Sequence, residues 1–223
     1  MPETRTVTAA LLIIGNEILS GRTADANLPY IAARLNDLGI RLREVRVVPD
    51  ICEEIVEAVN ALRGRYDYVF TTGGIGPTHD DITAECVAEA FGRKLIQNPE
   101  ARRRMEVRYE SMGVELNEAR LRMANTPEGA ILIDNPVSGA PGFQVENVFV
   151  MAGVPRIMQA MFEGLRDRLV GGAPLLSRSV TCALPEGSLA GGLAAIQARH
   201  PDVDIGSYPS YAASGFGVAI VLR

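Results

Sequence analysis

One stretch, residues 68–85 (YVFTTGGIGPTHDDITAE), constrains the fold more than any other. It begins with five apolar or β-favouring residues, passes through a glycine-rich segment and two acids, and then takes on helical spacing. This order predicts a strand, a tight loop and the start of a helix. Glycines permit positive φ and let backbone N–H groups approach a ligand, and the helix N-terminus behind them favours an anion. The loop is therefore a candidate phosphate cradle.

Two aspartates in this loop, Asp80 and Asp81, complicate that interpretation because carboxylates repel phosphate. A divalent cation such as Mg²⁺, bound between the carboxylates and the phosphate oxygens, would remove the conflict. Alternatively, Asp80 caps the following helix, Asp81 complements the helix dipole, and the glycines merely form the turn. The loop is neither a Walker A loop nor a GxGxxG fingerprint, so its spacing leaves both interpretations open.

Apolar runs at residues 7–14, 40–48 and 68–72 alternate with amphipathic helical patterns. This alternation predicts a mostly parallel sheet with helices on both faces, a three-layer α/β fold. Ligands of such sheets bind at the carboxyl ends of the strands. Carboxylates follow all three runs, namely Glu17, Asp50, Asp80 and Asp81. We predict that one crevice holds all four. The alternative is that they are ordinary helix caps.

The second half of the chain continues the pattern, with predicted strands at 130–133 and 148–151. The Gly- and Pro-rich loop between them, residues 134–143, either forms a second wall of the crevice or is only a hairpin connection. A linker is predicted at residues 169–174, where Gly-Gly and Pro punctuate the chain. Residues 1–170 would then form one domain, and residues 175–223 a small β-α-β-β domain of the α+β class.

Composition excludes several classes of protein. The net charge of −5 argues against a nucleic-acid partner, and no apolar stretch reaches the length of about 20 residues that a membrane span requires. No signal peptide is evident, so we expect a cytoplasmic protein. Three cysteines, Cys52, Cys86 and Cys182, lack metal-ligand spacing and are predicted to be buried, reduced thiols.

Four motifs together resemble a known family. The loop TTGGIGPTHDDIT, the N-terminal IIGNEILSGRTADAN, DNPVSGAPGF and MAGVPRIM resemble the molybdopterin-binding domain of the MoaB/Mog proteins. They are most similar to the branch found at the N-terminus of the competence/damage-inducible protein CinA. The segment after Pro174 resembles the KH-like middle domain of CinA proteins, but it has no GXXG loop flanked by basic residues, so RNA binding is not expected.

The resemblance implies a glycine loop that holds the phosphate of a pterin or nucleotide. Asp50 and Asp81 match aspartates needed for catalysis in molybdopterin adenylyltransferases, and the CinA branch is associated with divalent-metal-dependent ADP-ribose pyrophosphatase activity. We therefore expect Mg²⁺ or a similar ion bound by Glu17, Asp80 and Asp81. The superfamily commonly forms dimers or trimers, so a homo-oligomer is expected. The predicted ligand-binding residues are Thr72, Gly73, Gly74, Gly76, Pro77, Thr78, Asn27, Asn135, Ser138, Gly139, Pro141 and Gly142.

The chain departs from the family pattern at two positions. Ala152 and Ile157 replace a proline and an acid in the motif PGVPxEM. The retained pair of aspartates favours hydrolysis of a nucleotide pyrophosphate such as ADP-ribose, whereas the lost acid favours a molybdopterin-binding protein without turnover. Adenylyl transfer to molybdopterin is the third hypothesis. The nicotinamide-nucleotide deamidase domain of full CinA proteins is missing, so that activity is not expected.

Overall fold

The computed structural model describes residues 5–172, 176–212 and 215–223. The chain divides into two compact units, residues 1–173 and 174–223. This division falls within the segment that the sequence predicts as a linker, and residues 173–175 lie outside the described residues.

The first unit is built on a six-stranded sheet. Its strands, together with a separate two-stranded pair, are β1 (Val7–Ile14), β2 (Ile40–Val48), β3 (Tyr68–Thr72), β4 (Leu95–Gln97), β5 (Asn125–Pro127), β6 (Ile131–Ile133), β7 (Gly142–Val145) and β8 (Val148–Met151). The large sheet has the order β2-β1-β3-β8-β7-β6. Its first four strands are mutually parallel, and β7 and β6 extend it as an antiparallel edge.

Helices cover both faces of this sheet and confirm the predicted three-layer α/β fold. They are α1 (Asn16–Leu19), α2 (Asn27–Asp37), α3 (Cys52–Arg63), α4 (Thr83–Ala90), α5 (Pro99–Ser111), α6 (Glu118–Leu121) and α7 (Pro155–Leu165). The strand β1 serves both layers, since Leu12 packs in the core with Ile55 of α3, and Leu11 packs in the opposite core with Phe162 of α7. Complete burial of each such side chain contributes about 1.5–3 kcal/mol, so the sheet is held from both sides.

The structure corrects two local predictions. The loop 134–143 is shorter than predicted, because Gly142 and Phe143 already belong to β7 and pair with β6 and β8. The helical pattern at residues 118–124 predicts a helix that ends at Thr126 and Pro127, but residues 125–127 form β5, which pairs antiparallel with β4. Both strands have only three or four residues, too few for an alternating pattern to be recognised in the sequence.

The cysteine prediction is wrong for two of the three residues. Cys52 at the start of α3 and Cys86 in α4 form a disulfide, with their Cα atoms 5.3 Å apart. They are 34 residues apart in sequence and meet only because α3 and α4 pack together on the same face of the sheet. Only Cys86 is fully buried. Cys182 is a free, half-buried thiol.

The second unit is a small antiparallel sheet with one helix. Its elements are β9 (Arg178–Cys182), α8 (Glu186–Arg199), β10 (Ile205–Ala212) and β11 (Gly215–Leu222). The strand order is β10-β11-β9, and this confirms the predicted β-α-β-β arrangement. The side chain of Gln197 in α8 ties the helix to the sheet, because it donates to the carbonyl of Val203 (2.6 Å) and accepts from the N–H of Ile205 (3.0 Å).

Candidate functional site

A crevice of about 490 Å³ opens at the carboxyl ends of β1, β3 and β8. Its walls come from the segments that follow these strands and from the loop between β6 and β7. This is the edge at which open α/β sheets bind ligands, and the volume lies in the range of about 300–1,000 Å³ that is typical of small-molecule sites.

The glycine loop, residues 73–78, lines the crevice through residues 73–77, and Thr78 is not part of the wall. Gly73 has φ +105°, and a Cβ atom there would lie 2.1 Å from the carbonyl oxygen of Ile14. Gly74 has φ +67°, and its Cβ would lie 2.1 Å from the hydroxyl of Thr83. That hydroxyl donates to the carbonyl of Gly73 (3.0 Å), and the N–H of Thr83 donates to the carbonyl of Gly74 (3.0 Å). The turn therefore requires glycine, and α4 holds it in place.

Consecutive backbone donors of this loop are unpaired. The N–H of Gly73 donates to the carbonyl of Met151 (3.2 Å), but the N–H groups of Gly74, Ile75 and Gly76 form no hydrogen bond with any described part of the chain. All three residues line the crevice. Successive N–H groups without partners in a turn of this kind form a concave site for an anion.

Asp81 lies in the crevice beside these donors. One of its carboxylate oxygens accepts both the N–H (2.8 Å) and the hydroxyl (2.5 Å) of Thr78. Asp80 is exposed and is not part of the crevice wall. The hydroxyl of Thr78, with further contributions from the Asp80 N–H and from His79, lowers the pKa of the Asp80 carboxyl.

The two aspartates are not helix caps, so that alternative is wrong. The N-cap residue of α4 is Ile82, which makes no side-chain cap hydrogen bond, and the acid of the first turn is Glu85. Asp81 is bonded within the loop instead.

The remaining predicted carboxylates differ in position. Glu17 in α1 is half-buried and lines the crevice. Asp50 follows β2, but its carboxylate turns toward α1 and accepts the N–H of Asn16 (2.9 Å). The crevice therefore holds two of the four carboxylates that were expected to converge, Glu17 and Asp81. Among the described residues, no group of three or more His, Cys, Asp or Glu side chains is arranged to hold a metal ion.

The β6–β7 loop forms a second wall of the crevice through Asn135 and Ser138, which is the first of the two alternatives that the sequence left open. Asn135 is 4% exposed. Its amide donates to the Ser138 hydroxyl (2.6 Å) and the Ala140 carbonyl (2.7 Å), and its oxygen accepts the N–H groups of Val137 and Ser138 at 3.1 Å each. Asn135 therefore folds this wall, and Ser138 offers a hydroxyl at its surface.

Other predicted ligand residues of this loop lie next to the crevice. Pro141 lines an adjoining cavity of about 140 Å³, which shares Gly74 to Gly76 and Asp81 with the crevice and is also lined by Arg122. Gly139 packs against the side chain of Arg108, and Gly142 is in β7, where a Cβ would lie 2.3 Å from the carbonyl of Val150. These two glycines shape the loop and do not form the wall of the crevice.

Asn27 and Thr72 line a smaller cavity of about 60 Å³ beside the crevice. The amide of Asn27 donates to the carbonyl of Gly153 (2.8 Å). The Asn27 Oδ1 atom and the Thr72 hydroxyl are both buried without a hydrogen-bond partner.

The apolar part of the wall was largely missed. Met123 and Val154 line the crevice together with Ala152 and Ile157. Met123 lies in a 3-10 turn at 122–124, outside every motif, so no signal in the sequence pointed to it. Val154 lies within MAGVPRIM and could have been found by asking which motif residues follow β8.

Comparisons with known proteins identify the family of each part of the chain. The profile of the family described as probable molybdopterin binding domain matches residues 10–170, and that of the FAD synthase middle domain matches residues 174–223. A CinA-like protein of Myxococcus xanthus is 34% identical over 209 residues, which is 88% of this chain and 50% of that protein. The chain therefore spans about half the length of that relative.

Two solved structures share the fold. The structure of the protein CinA from Thermoplasma acidophilum has 33% identity and a TM-score of 0.67, and the match covers 72% of this chain and 98% of that one. The molybdopterin biosynthesis enzyme MoaB from a Thermus species has 18% identity and a TM-score of 0.51, with 73% and 91% covered. The second comparison concerns the fold alone.

Fold and crevice define the class of protein as an α/β domain of the molybdopterin-binding type, with its ligand edge at the carboxyl ends of the parallel strands. The chain belongs to the MoaB/Mog family of molybdopterin-binding domains and has CinA-like homologues. No helix in the described ranges is both long and apolar enough to cross a membrane.

Proposed function

We propose that the crevice binds a phosphorylated pterin or nucleotide and that the protein hydrolyses a nucleotide pyrophosphate of the ADP-ribose type with a divalent cation. One observation carries this proposal. The crevice combines the unpaired N–H groups of the glycine loop with two carboxylates, Glu17 and Asp81, and its wall includes no Lys, Arg or His side chain among the described residues.

The charges in the crevice argue for a cation. The glycine-loop N–H groups attract a phosphate, but the two carboxylates repel it, and the crevice wall has no basic side chain to offset them, because Arg122 lines only the adjoining cavity. The donor set suits Mg²⁺, which commonly uses one or two protein carboxylates and completes its shell with water and substrate phosphates. Asp81 has one carboxylate oxygen bonded to Thr78 and the other without a hydrogen-bond partner in the described part of the chain.

Each residue then has a definite task. The N–H groups of Gly74 to Gly76 hold a phosphate, and Thr78 orients the carboxylate of Asp81. Asp50 acts as a positioning residue, because it fixes the N-terminus of α1, which carries Glu17. When bound, a divalent cation would offset charge on the phosphate oxygens and lower the pKa of an attacking water.

The test is release of AMP or phosphate from ADP-ribose, FAD, NAD and ATP, each with Mg²⁺, Mn²⁺ or Co²⁺ and with an EDTA control. We expect metal-dependent cleavage of one compound that contains a pyrophosphate. Absence of cleavage for the whole panel, or cleavage that persists in EDTA, contradicts the proposal.

A second candidate function is molybdopterin binding without turnover. Ile157 and Ala152 line the crevice at the positions where the family pattern has an acid and a proline, so the wall is more apolar than that pattern implies. Such a wall suits a flat pterin ring. A phosphorylated pterin that raises the melting temperature, with no product formed from any pyrophosphate, would favour this candidate. Adenylyl transfer would instead require ATP and molybdopterin together.

We further propose an oligomeric state, a cellular compartment and a class of partner for this protein. We expect a homo-oligomer, and light scattering coupled to gel filtration measures its mass directly. We also expect the protein to act in the cytoplasm, on a small phosphorylated ligand and without a nucleic-acid partner.

A further inference from the structure

The small cavity beside the crevice is lined by two residues, Asn27 and Thr72, that each have a buried polar atom without a partner in the described part of the chain. Asn27 is 4% exposed and Thr72 is 1% exposed. The Asn27 Oδ1 atom and the Thr72 hydroxyl have no hydrogen bond within the described ranges, although both residues line the cavity. A buried polar atom without a partner costs free energy, so two of them at one cavity indicate a site that another molecule completes.

The orientation of Asn27 is fixed by its neighbours. Its Nδ2 atom donates to the carbonyl of Gly153 at 2.8 Å, which leaves Oδ1 directed away from that carbonyl. Reversing the amide would place two oxygen atoms against each other, so the unpaired atom of Asn27 is an acceptor. The carboxylate of Glu17, which lines the same cavity, adds further acceptors.

The cavity is continuous with the crevice, because Glu17, Thr23, Gly153 and Pro155 line both. Its volume of about 60 Å³ compares with about 490 Å³ for the crevice, so it admits a small polar group of a ligand whose larger part lies in the crevice. A phosphate would meet the acceptor atoms of Asn27 and Glu17 here and be repelled.

We propose that this cavity is a specificity subsite that binds a neutral hydrogen-bond donor of the ligand, a sugar hydroxyl pair or a ring amino group. The side-chain oxygens of Asn27 and Glu17 accept hydrogen bonds from this donor, and the Thr72 hydroxyl forms a further hydrogen bond with it. The glycine loop takes the phosphate end of the same ligand. This inference rests on the proposed function, since it assigns a second part of the same ligand.

Thr72→Val tests the subsite with little structural cost, because the two side chains have the same shape and the lost hydroxyl has no partner in the described part of the protein. Thr71→Val is a matched control. Thr71 is also in β3, also fully buried and also has an unpaired hydroxyl, but it does not line the small cavity. Thr72→Ser restores the hydroxyl.

The measurement is calorimetric binding of ADP-ribose with Mg²⁺ present. Every ligand titrated carries a methylene group in place of the bridging pyrophosphate oxygen, so that turnover is prevented. We expect Thr72→Val to weaken binding about 5- to 10-fold, as the loss of one hydrogen bond predicts. Thr71→Val stays within about twofold of the wild type, a change below that of one hydrogen bond, and Thr72→Ser restores most of the affinity. Equal affinity of Thr72→Val and the wild type overturns the subsite while the proposed function stands. Failure of the wild type to bind the ADP-ribose analogue with Mg²⁺ present also overturns the subsite, whereas the proposed function falls only if no compound of the panel is cleaved.

Analogues identify which donor occupies the cavity. The same variants are titrated with ADP, which lacks the terminal ribose, with the hypoxanthine analogue of ADP-ribose, which lacks the amino group, and with its 2′-deoxyadenosine analogue. The analogue whose binding Thr72→Val no longer weakens is the one that lacks the bound group. An equal loss for ADP-ribose and all three analogues overturns the inference, because it indicates a general change of the crevice.

Discussion

Asp81 accepts two hydrogen bonds from one residue, Thr78, through the backbone N–H at 2.8 Å and the hydroxyl at 2.5 Å. This pair closes a four-residue turn, residues 78–81, and holds Asp81 at the crevice wall. Asp80, the next residue in sequence, is exposed and has no place in the crevice wall. Two neighbouring aspartates that look equivalent in sequence therefore have different surroundings.

The first prediction concerns these two aspartates. Asp81→Asn should reduce turnover at least about 100-fold, because it removes a charge that would bind the cation. Asp80→Asn, its matched control, should stay within about threefold of the wild type, since an exposed charge outside the crevice contributes little. The measurement is kcat/KM on the best substrate of the panel, with circular dichroism to check the fold. Equal losses in the two variants would contradict the assignment.

The second prediction concerns the backbone of the glycine loop. Gly73→Ala should destabilise the protein by roughly 3 kcal/mol or more, because a Cβ cannot be accommodated there without moving β1 or the loop. The contact in question is 2.1 Å to the carbonyl oxygen of Ile14. Gly92→Ala provides the control, since Gly92 also has a positive φ, +60°, but nothing lies within 4 Å of its Cβ, and it should cost only about 1 kcal/mol. Urea unfolding measures both, and comparable values would contradict the steric argument.

The sequence predicted the fold far better than it predicted the site. Continuous apolar runs and helix stop signals located β1, β2 and β3 at their observed bounds, because each is long enough to show its own period. No pattern in the sequence indicates in which direction a side chain at the end of a strand points. Asp50 follows its strand as predicted but turns to the N–H of Asn16, and only the packing of α1 against β2 decides that. Met123 reaches the crevice through long-range packing alone.

The third prediction concerns Asp67, which ties the start of β3 to β1. Its carboxylate accepts the N–H (2.8 Å) and hydroxyl (2.9 Å) of Thr8 and pairs with Arg5. These contacts, the Thr8 N–H first, lower the pKa of Asp67. Asp67→Asn should therefore destabilise the protein at pH 7 by about 1–2 kcal/mol, as expected for hydrogen bonds to a charged group.

The pH dependence of this effect follows from the direction of the shift. Because the folded pKa lies below the unfolded value of about 3.9, the stabilisation is complete above that pH and is lost as the pH falls through the folded pKa. The difference between wild type and Asp67→Asn should be constant from pH 6 to 8 and shrink below about pH 4. Asp167→Asn is the control, because Asp167 is exposed and makes no hydrogen bond or ion pair within the described ranges. A difference independent of pH down to about 3 would contradict the linkage.

The fourth prediction concerns the disulfide between Cys52 and Cys86. A crosslink that closes a loop of 34 residues stabilises by about 3–4 kcal/mol through the unfolded chain. For a protein of this size that corresponds to a fall in melting temperature of about 10 °C when the bond is reduced. Dithiothreitol should lower the melting temperature of the wild type by that amount and leave Cys52→Ser, already lowered, unchanged.

Cys182→Ser separates the crosslink from a general effect of removing a thiol. Cys182 is free, so this variant should melt like the wild type and should keep the full response to dithiothreitol. If the wild type and Cys52→Ser melt at the same temperature with and without dithiothreitol, the two sulfurs are not bonded in the purified protein. Asp50 shortly precedes α3, and Asp81 shortly precedes α4. Turnover measured with and without dithiothreitol therefore tests whether the crosslink also fixes the relative position of these two acidic loops.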